Sequence, residues 1–215
     1  MMGCIKKKKI WEIDTAAIGI GAMIVFIAMV LVAGIAASVL IQTSTRLETQ
    51  ALRTGQETIA EVASGIKVEA VEGHNSSGLI NKMAIEITSK AGSPDIDLEE
   101  TVIEISDATN KYVLTRGSTY TNVSSVDGDV FSGDYGSSTQ FSIIVLQDAD
   151  ESCTSDNPII NFGDHVILGV DTTDVFGGLA PRTDVAGMIV CEEGSPGIIG
   201  FTTPASYIDD VMELQ

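Results

Sequence analysis

Two histidines, three cysteines and 30 acidic side chains are the residues of this 215-residue chain that could carry catalysis or bind metal. Their spacing supports neither. His74 and His165 lie outside any Gly-x-Ser-x-Gly elbow and any His-Glu-x-x-His pair, so they lack the partners that make a nucleophile or a zinc site. Cys153 and Cys191 do not form a Cys-x-x-Cys. The Gly19-Ile-Gly21 step lacks a third glycine and leads into an apolar run, so it is not a nucleotide loop. Carboxylates do crowd at Asp127 and Asp129, and again at Asp148, Asp150 and Glu151. Hard cations want such oxygen ligands, but neither stretch has EF-hand spacing. Both read as solvated acidic surface. The expectation is a chain with no catalytic residue, no cofactor and no metal.

The elements that would have to position these residues are of two kinds. From Thr15 to Thr45 there is no charged residue, and Ile18 to Ile41 is almost wholly apolar. As a helix that stretch spans roughly 36 Å, longer than the ~30 Å hydrocarbon core of a bilayer. It is apolar on all sides, so no face is left for water. The run is too long for the apolar region of an ordinary secretory signal. Lys6 to Lys9 precede it, which places the short leader in the cytoplasm and the remainder outside. Leu47, Ala51, Leu52, Ile59, Val62 and Ile66 then recur near helical spacing, with Arg46, Glu48, Arg53, Gln56, Glu57 and Glu61 between them. One helix, apolar and then amphipathic, is predicted from about Ala17 to Ala63.

Beyond Ile66 the period changes to two. Ile66 to Glu72 and Met83 to Thr88 alternate, as does much of Leu98 to Ile105. Phe141 to Leu146, Val166 to Val170 and Met188 to Cys191 are short runs rich in β-branched residues. Turn-forming residues separate them, notably Asp127-Gly-Asp and Gly133 to Ser138. The expected fold class is α+β: a long N-terminal hydrophobic α-helix followed by an antiparallel β-sandwich, Ig-like domain. Tyr207 to Gln215 fits a last strand or a short amphipathic tail. The formal net charge of −18 argues against a nucleic-acid partner, which needs clustered Lys and Arg. Cys4 sits in the basic leader. Without the leader an even pair remains, and in an exported domain that pair predicts a Cys153–Cys191 disulfide. Closing its loop of roughly 40 residues is worth roughly 4 kcal/mol on chain entropy. Asn75-Ser-Ser and Asn122-Val-Ser are glycosylation sequons expected in exported loops.

Ala17 to Ile41 closely resembles the N-terminus of archaeal flagellins (archaellins), relatives of the type IV pilins. The shared features are Gly19-Ile-Gly21, the Ile24 to Ala33 block and the Val39-Leu-Ile41 ending. The resemblance implies a prepilin-like leader over residues 1–16, cut between Ala16 and Ala17 by a membrane leader peptidase. Ala16 stands where the family usually has Gly. Residues 17–64 would then form the filament-core helix and 65–215 the outer domain. Type IV pilins proper carry Glu at the fifth mature position, where this chain has Gly21; an adhesive archaeal pilin is the alternative reading. The resemblance further implies a single-span membrane precursor that assembles into an extracellular homo-oligomeric filament, with other archaellins as companions, and that the sequons at Asn75 and Asn122 carry glycan. Small residues let apolar helices approach closely, and Ala33 with Ala37, and Gly34 with Ser38, supply them at helical spacing. A monomeric, membrane-anchored binding domain is the reading from a different class.

Overall fold

The computed structural model describes residues 5–122 and 128–215, with side chains from Ala17 onward except Ala60. The chain divides into two compact units between Gln56 and Glu57. The described residues of the first all lie in one continuous helix. That helix, α1, runs Ile5–Ala63, so it begins well before the expected Ala17 and ends where expected. Good helix formers dominate it, and Ser64-Gly65 stops it. Gly65 has φ 141°, a conformation that other residues rarely adopt, and a Cβ there would collide with the Ser195 backbone.

The second unit is a β-domain. Its strands are β1 Ile66–Ser76, β2 Leu79–Ser89, β3 Ile96–Asp97, β4 Val102–Ser106, β5 Lys111–Asn122, β6 Gln140–Gln147, β7 Ile159–Ile160, β8 His165–Asp171, β9 Asp184–Val190, β10 Gly197–Thr202 and β11 Val211–Glu213. A short helix, α2, Thr172–Phe176, follows β8. Nine strands form one sheet in the order β10-β9-β4-β5-β6-β8-β2-β1-β11, and β3 pairs with β7 apart from it. Every pairing is antiparallel except β5 with β6. The expected order, helix then antiparallel β-domain, is what the chain adopts. The two faces of the core come from one curled sheet rather than two separate ones.

Alternation explains the curl. Val71, Met83, Ile85, Ile87, Ile103, Ile105, Phe141, Ile143, Leu168, Ile189 and Ile199 all point inward and join a single buried cluster. Strands from both ends of the sheet therefore share one core, and a sheet can do that only by bending round. The middle of the sheet is covered on its outer side too. Phe131 and Tyr135, from the loop before β6, lie over Ala84, Ile144 and Ile167 as a second small cluster. Lys82 Nζ holds that loop by donating to the carbonyls of Phe131 (2.7 Å) and Gly133 (2.9 Å). The β1–β2 hairpin turns on two residues, Ser77 (φ 59°) and Gly78 (φ 81°), as the twist of paired strands prefers.

The two open ends of the sheet meet through the chain terminus. The Tyr207 to Gln215 segment resolves as strand: Val211 to Glu213 pair with β1, and the Leu214 amide donates to Val71 O at 2.7 Å. Gln215 then reaches the opposite edge. Its Oε1 accepts from the Gly200 amide (2.7 Å), and its Nε2 donates to Ile198 O (3.3 Å). One carboxamide thus occupies the place of a peptide group on β10. Replacing Gln215 with Ala removes both bonds and should cost about 1–2 kcal/mol. Faster amide hydrogen exchange at Gly200, with exchange in β6 and β8 unchanged, is the expected signature.

Candidate assembly interface

The structure leaves the helix bare. Fifteen large apolar side chains between Ile18 and Ile41 are exposed, among them Phe26 and Leu40, each at 68%. Each is worth roughly 1.5–3 kcal/mol when buried, so leaving them in water forfeits on the order of 30 kcal/mol. That exceeds the whole stability of an ordinary domain, about 5–15 kcal/mol. The helix is long and apolar enough to cross a membrane. Lipid or other apolar helices must cover it.

Ala33, Gly34, Ala37 and Ser38 fall on this exposed stretch, and a Cβ added at Gly34 would meet nothing within 4 Å. Along the amphipathic continuation, Leu47, Leu52, Ile59 and Val62 are also uncovered. Only Ile66, the last residue of the predicted stripe, is buried, and it belongs to β1. The helix runs unbroken through Ala16 and Ala17. The Ala16 side chain, Cys4 and the leader before Ile5 lie outside the described residues.

The β-domain offers a second exposed apolar surface, which sequence reasoning missed. Register aligns Ile198, Met188, Glu104 and Val113 in one row across β10, β9, β4 and β5. Ile198, Met188 and Val113 are exposed in that row, and Val190 lies beside it. Alternation marks these residues as outward-facing only once the buried face of each strand is known.

The other predicted sites separate. Asn75 is the last residue but one of β1 rather than a loop residue. It is half-buried, and its Oδ1 accepts from the Gly78 amide at 3.2 Å. Asn122 is exposed at the end of β5; the Ser124 of its sequon lies outside the described residues. His74 Nδ1 lies 2.8 Å from Asn81 Oδ1, and its ring sits against Phe131. His165 faces Glu86 at 3.1 Å. These histidines act as strand-surface partners.

The expected Cys153–Cys191 disulfide is not formed; both residues are free thiols. Topology keeps them apart. Cys153 pairs with Pro158 in the loop after β6, and its carbonyl accepts from the Tyr120 hydroxyl at 2.6 Å. Cys191 follows β9, at the other side of β4 and β5. Even parity gave no information about which strands would separate them. Burial pushes the Cys153 thiol up to about 12 and the Cys191 thiol up to about 11.

Among the acidic loops, Asp129 lies away from the others and caps the turn Val130–Ser132, accepting from the Phe131 amide at 3.0 Å. Asp127 lies outside the described residues. Asp148 and Asp150 are joined by Asp164, each offering an oxygen within 4.8 Å of the others, a set of hard ligands of the kind a divalent cation takes. Glu151 is not part of the group. The three carboxylates also organise the loop: Asp148 Oδ2 accepts from the Cys153 amide (2.9 Å), Asp150 Oδ2 from Asn161 Nδ2 (2.6 Å) and Asp164 Oδ2 from the Asn161 amide (2.8 Å). Burial raises the pKa of Asp164, with the charges of Asp148 and Asp150 adding to it; hydrogen bonds from Asn161 and Ser152 lower that of Asp150.

An uncovered apolar helix joined to a curled antiparallel β-domain defines a class: subunits whose core helix is completed by other molecules. The family model described as archaeal-type flagellin matches residues 16–201. Flagellin B2 of Methanocaldococcus jannaschii is 45% identical over 211 residues, covering 93% of this chain and 94% of the relative. Flagellin B1 of Methanococcus voltae is 43% identical over 212 residues, covering 93% and 94%. In structure, the chain is similar to archaeal flagellin FlaB1 from Methanocaldococcus jannaschii, with a TM-score of 0.66 at 36% identity, over 71% of this chain and 98% of that one. It shares its fold with the subunit of the archaeal flagellum of Methanospirillum hungatei strain JF1, with a TM-score of 0.64 at 16% identity, over 90% and 98%. The chain belongs to the archaeal-type flagellin family. It is accordingly a structural subunit of the archaeal flagellum filament.

A thiol with a pKa near 11 or 12 has on the order of one thousandth or less of its population as thiolate at pH 8. Cys153 and Cys191 should therefore resist Ellman's reagent in the folded protein and react fully in denaturant without reductant. Failure to react in denaturant would show a disulfide after all.

Proposed function

We propose that the chain is made as a single-span membrane precursor and loses residues 1–16 to a prepilin-type leader peptidase acting between Ala16 and Ala17. Its helix then leaves the bilayer to join the core of a helical filament that turns for swimming. The observation that carries this reading is the helix from Ile18 to Ile41, apolar on every side and exposed. In lipid such helices gain no hydrophobic energy by associating, so close van der Waals packing at small residues must drive them together. Ala33, Gly34, Ala37 and Ser38 are that surface. The outward row of Ile198, Met188 and Val113 makes lateral contacts between outer domains. Asn75 and Asn122, close to the ends of their strands, are the glycan acceptors. The subunit's work is polymerisation, and it needs no active site for it.

Two measurements test the reading. Protein from sheared surface filaments should begin at Ala17 and carry mass added in glycan-sized steps. Protein confined to membranes and still bearing Lys6 to Lys9 would mean the helix never leaves the bilayer. Separately, Gly34→Leu and Ala37→Leu should lower filament yield well below wild type while leaving the amount of membrane-inserted precursor unchanged. Wild-type filament numbers from both would remove close packing at this surface.

A further inference from the structure

Ser64, the residue that follows α1, is 1% exposed, and its hydroxyl has no hydrogen-bond partner among the described residues. It lines a cavity of about 90 Å³ whose other walls are Pro94, Ile96 and the acidic residues Asp95, Asp97, Glu192 and Glu193. Among the described residues no lysine or arginine lines it; Lys90 lies nearby, its Nζ donating to the Ser195 hydroxyl, which in turn donates to the Ser64 carbonyl. Asp97 is partly engaged, accepting from the Glu99 amide at 2.7 Å. Asp95, Glu192 and Glu193 form no hydrogen bond or ion pair among the described residues. Asp95, Glu192 and Glu193 are exposed, so water meets their carboxylates in the single chain; beside a buried hydroxyl they are acceptors for a donor that an interface would bring. These carboxylates do not converge as metal ligands do: the group that meets that spacing among the described residues is Asp148, Asp150 and Asp164. Acceptors spread round a cavity suit a wider cation. A guanidinium has five donors in a planar fork and no acceptor.

The chain carries such a cation in need of a partner. Arg46 is the first charge after the apolar run, and the residues three and four away, Gln42, Thr43, Thr49 and Gln50, include no acid. It makes no ion pair among the described residues. Arg53, by contrast, has Glu57 four residues on. Once neighbouring helices cover α1, the Arg46 charge loses its water, and a buried unpaired charge is strongly unfavourable.

We propose that the cavity at Ser64 receives the Arg46 guanidinium of a second copy of this chain. The contact ties the outer domain of one subunit to the core helix of another. It rests on the filament reading above and adds a specific electrostatic latch to it. The latch couples assembly to covering of the helix, because Arg46 needs its carboxylates only when it is desolvated.

The test uses the full-length chain in an archaeal host lacking its own flagellins, with filaments counted by electron microscopy and precursor measured in membranes. Arg46→Gln and the double variant Glu192→Gln/Glu193→Gln should each lower filament number about tenfold at unchanged precursor level, because each leaves the other partner buried and unpaired. Combining them should do no further harm, and Arg53→Gln should do less than Arg46→Gln. The charge swap Arg46→Glu with Glu193→Arg should recover filaments that either single change loses. Wild-type filament numbers for Arg46→Gln, or losses that simply multiply, would overturn the latch while leaving the filament reading intact. Loss of filaments on chelation with Arg46→Gln unaffected would assign the cavity to a divalent cation and also overturn it. A wild-type chain that makes no filaments would take down the filament reading and the latch together.

Discussion

Fifteen large apolar side chains between Ile18 and Ile41 stand exposed on a stretch of helix that is apolar on every side. The rest of the molecule is arranged around that constraint. A helix apolar on all sides is stable in lipid or among its own kind, and nowhere else. In lipid the hydrophobic effect is already satisfied, so a second, weaker force must select the filament over the bilayer. Close approach at Ala33, Gly34, Ala37 and Ser38 supplies dispersion contacts that bulky residues would prevent.

The β-domain solves the opposite problem. It must stay folded in water with an acidic surface and few aromatic residues. It does so by curling one nine-stranded sheet around a shared aliphatic core and joining the two edges through Val71, Leu214 and Gln215. Open strand edges invite pairing with other chains. The Gln215 carboxamide occupies part of the β10 edge, while the Phe131–Tyr135 loop covers the outer side of the sheet centre. What stays exposed on the sheet is a limited row at Ile198, Met188 and Val113, a surface suited to contacts between neighbours.

Much of this was legible in the residues. The helix end at Ala63 follows from the change of period after Ile66 and from Gly65. The strands with clear alternation, such as Met83 to Thr88, or with dense β-branching, such as Val166 to Val170, formed where expected. β5 was not legible. Its sequence, Lys111 to Asn122, carries Lys, Arg, Gly and three Thr, and only Leu114 and Gly117 are buried, so its apolar signal is too thin to read. β10 hid for a related reason: Ile199 and Phe201 face inward while Gly197 and Gly200 interrupt the pattern.

The sequence by itself determined the class of the protein, because an uncharged apolar run of that length has few physical homes and the block from Ile24 to Ala33 is specific. It determined also that the outer part would be β. Only the tertiary structure decided what depends on the order of strands. Cys153 and Cys191 look like a pair in the sequence, but β4 and β5 run between their positions in the sheet. Asp164 looks unrelated to Asp148, yet the loop after β6 returns to bring their carboxylates together. Ser64 looks like a linker residue, yet the approach of Gly194 and Ser195 buries it beside four acids. Local pattern encodes which residues seek the core, since burial acts on each side chain separately. Which residues become neighbours depends on contacts between distant segments, and no single stretch of sequence records those.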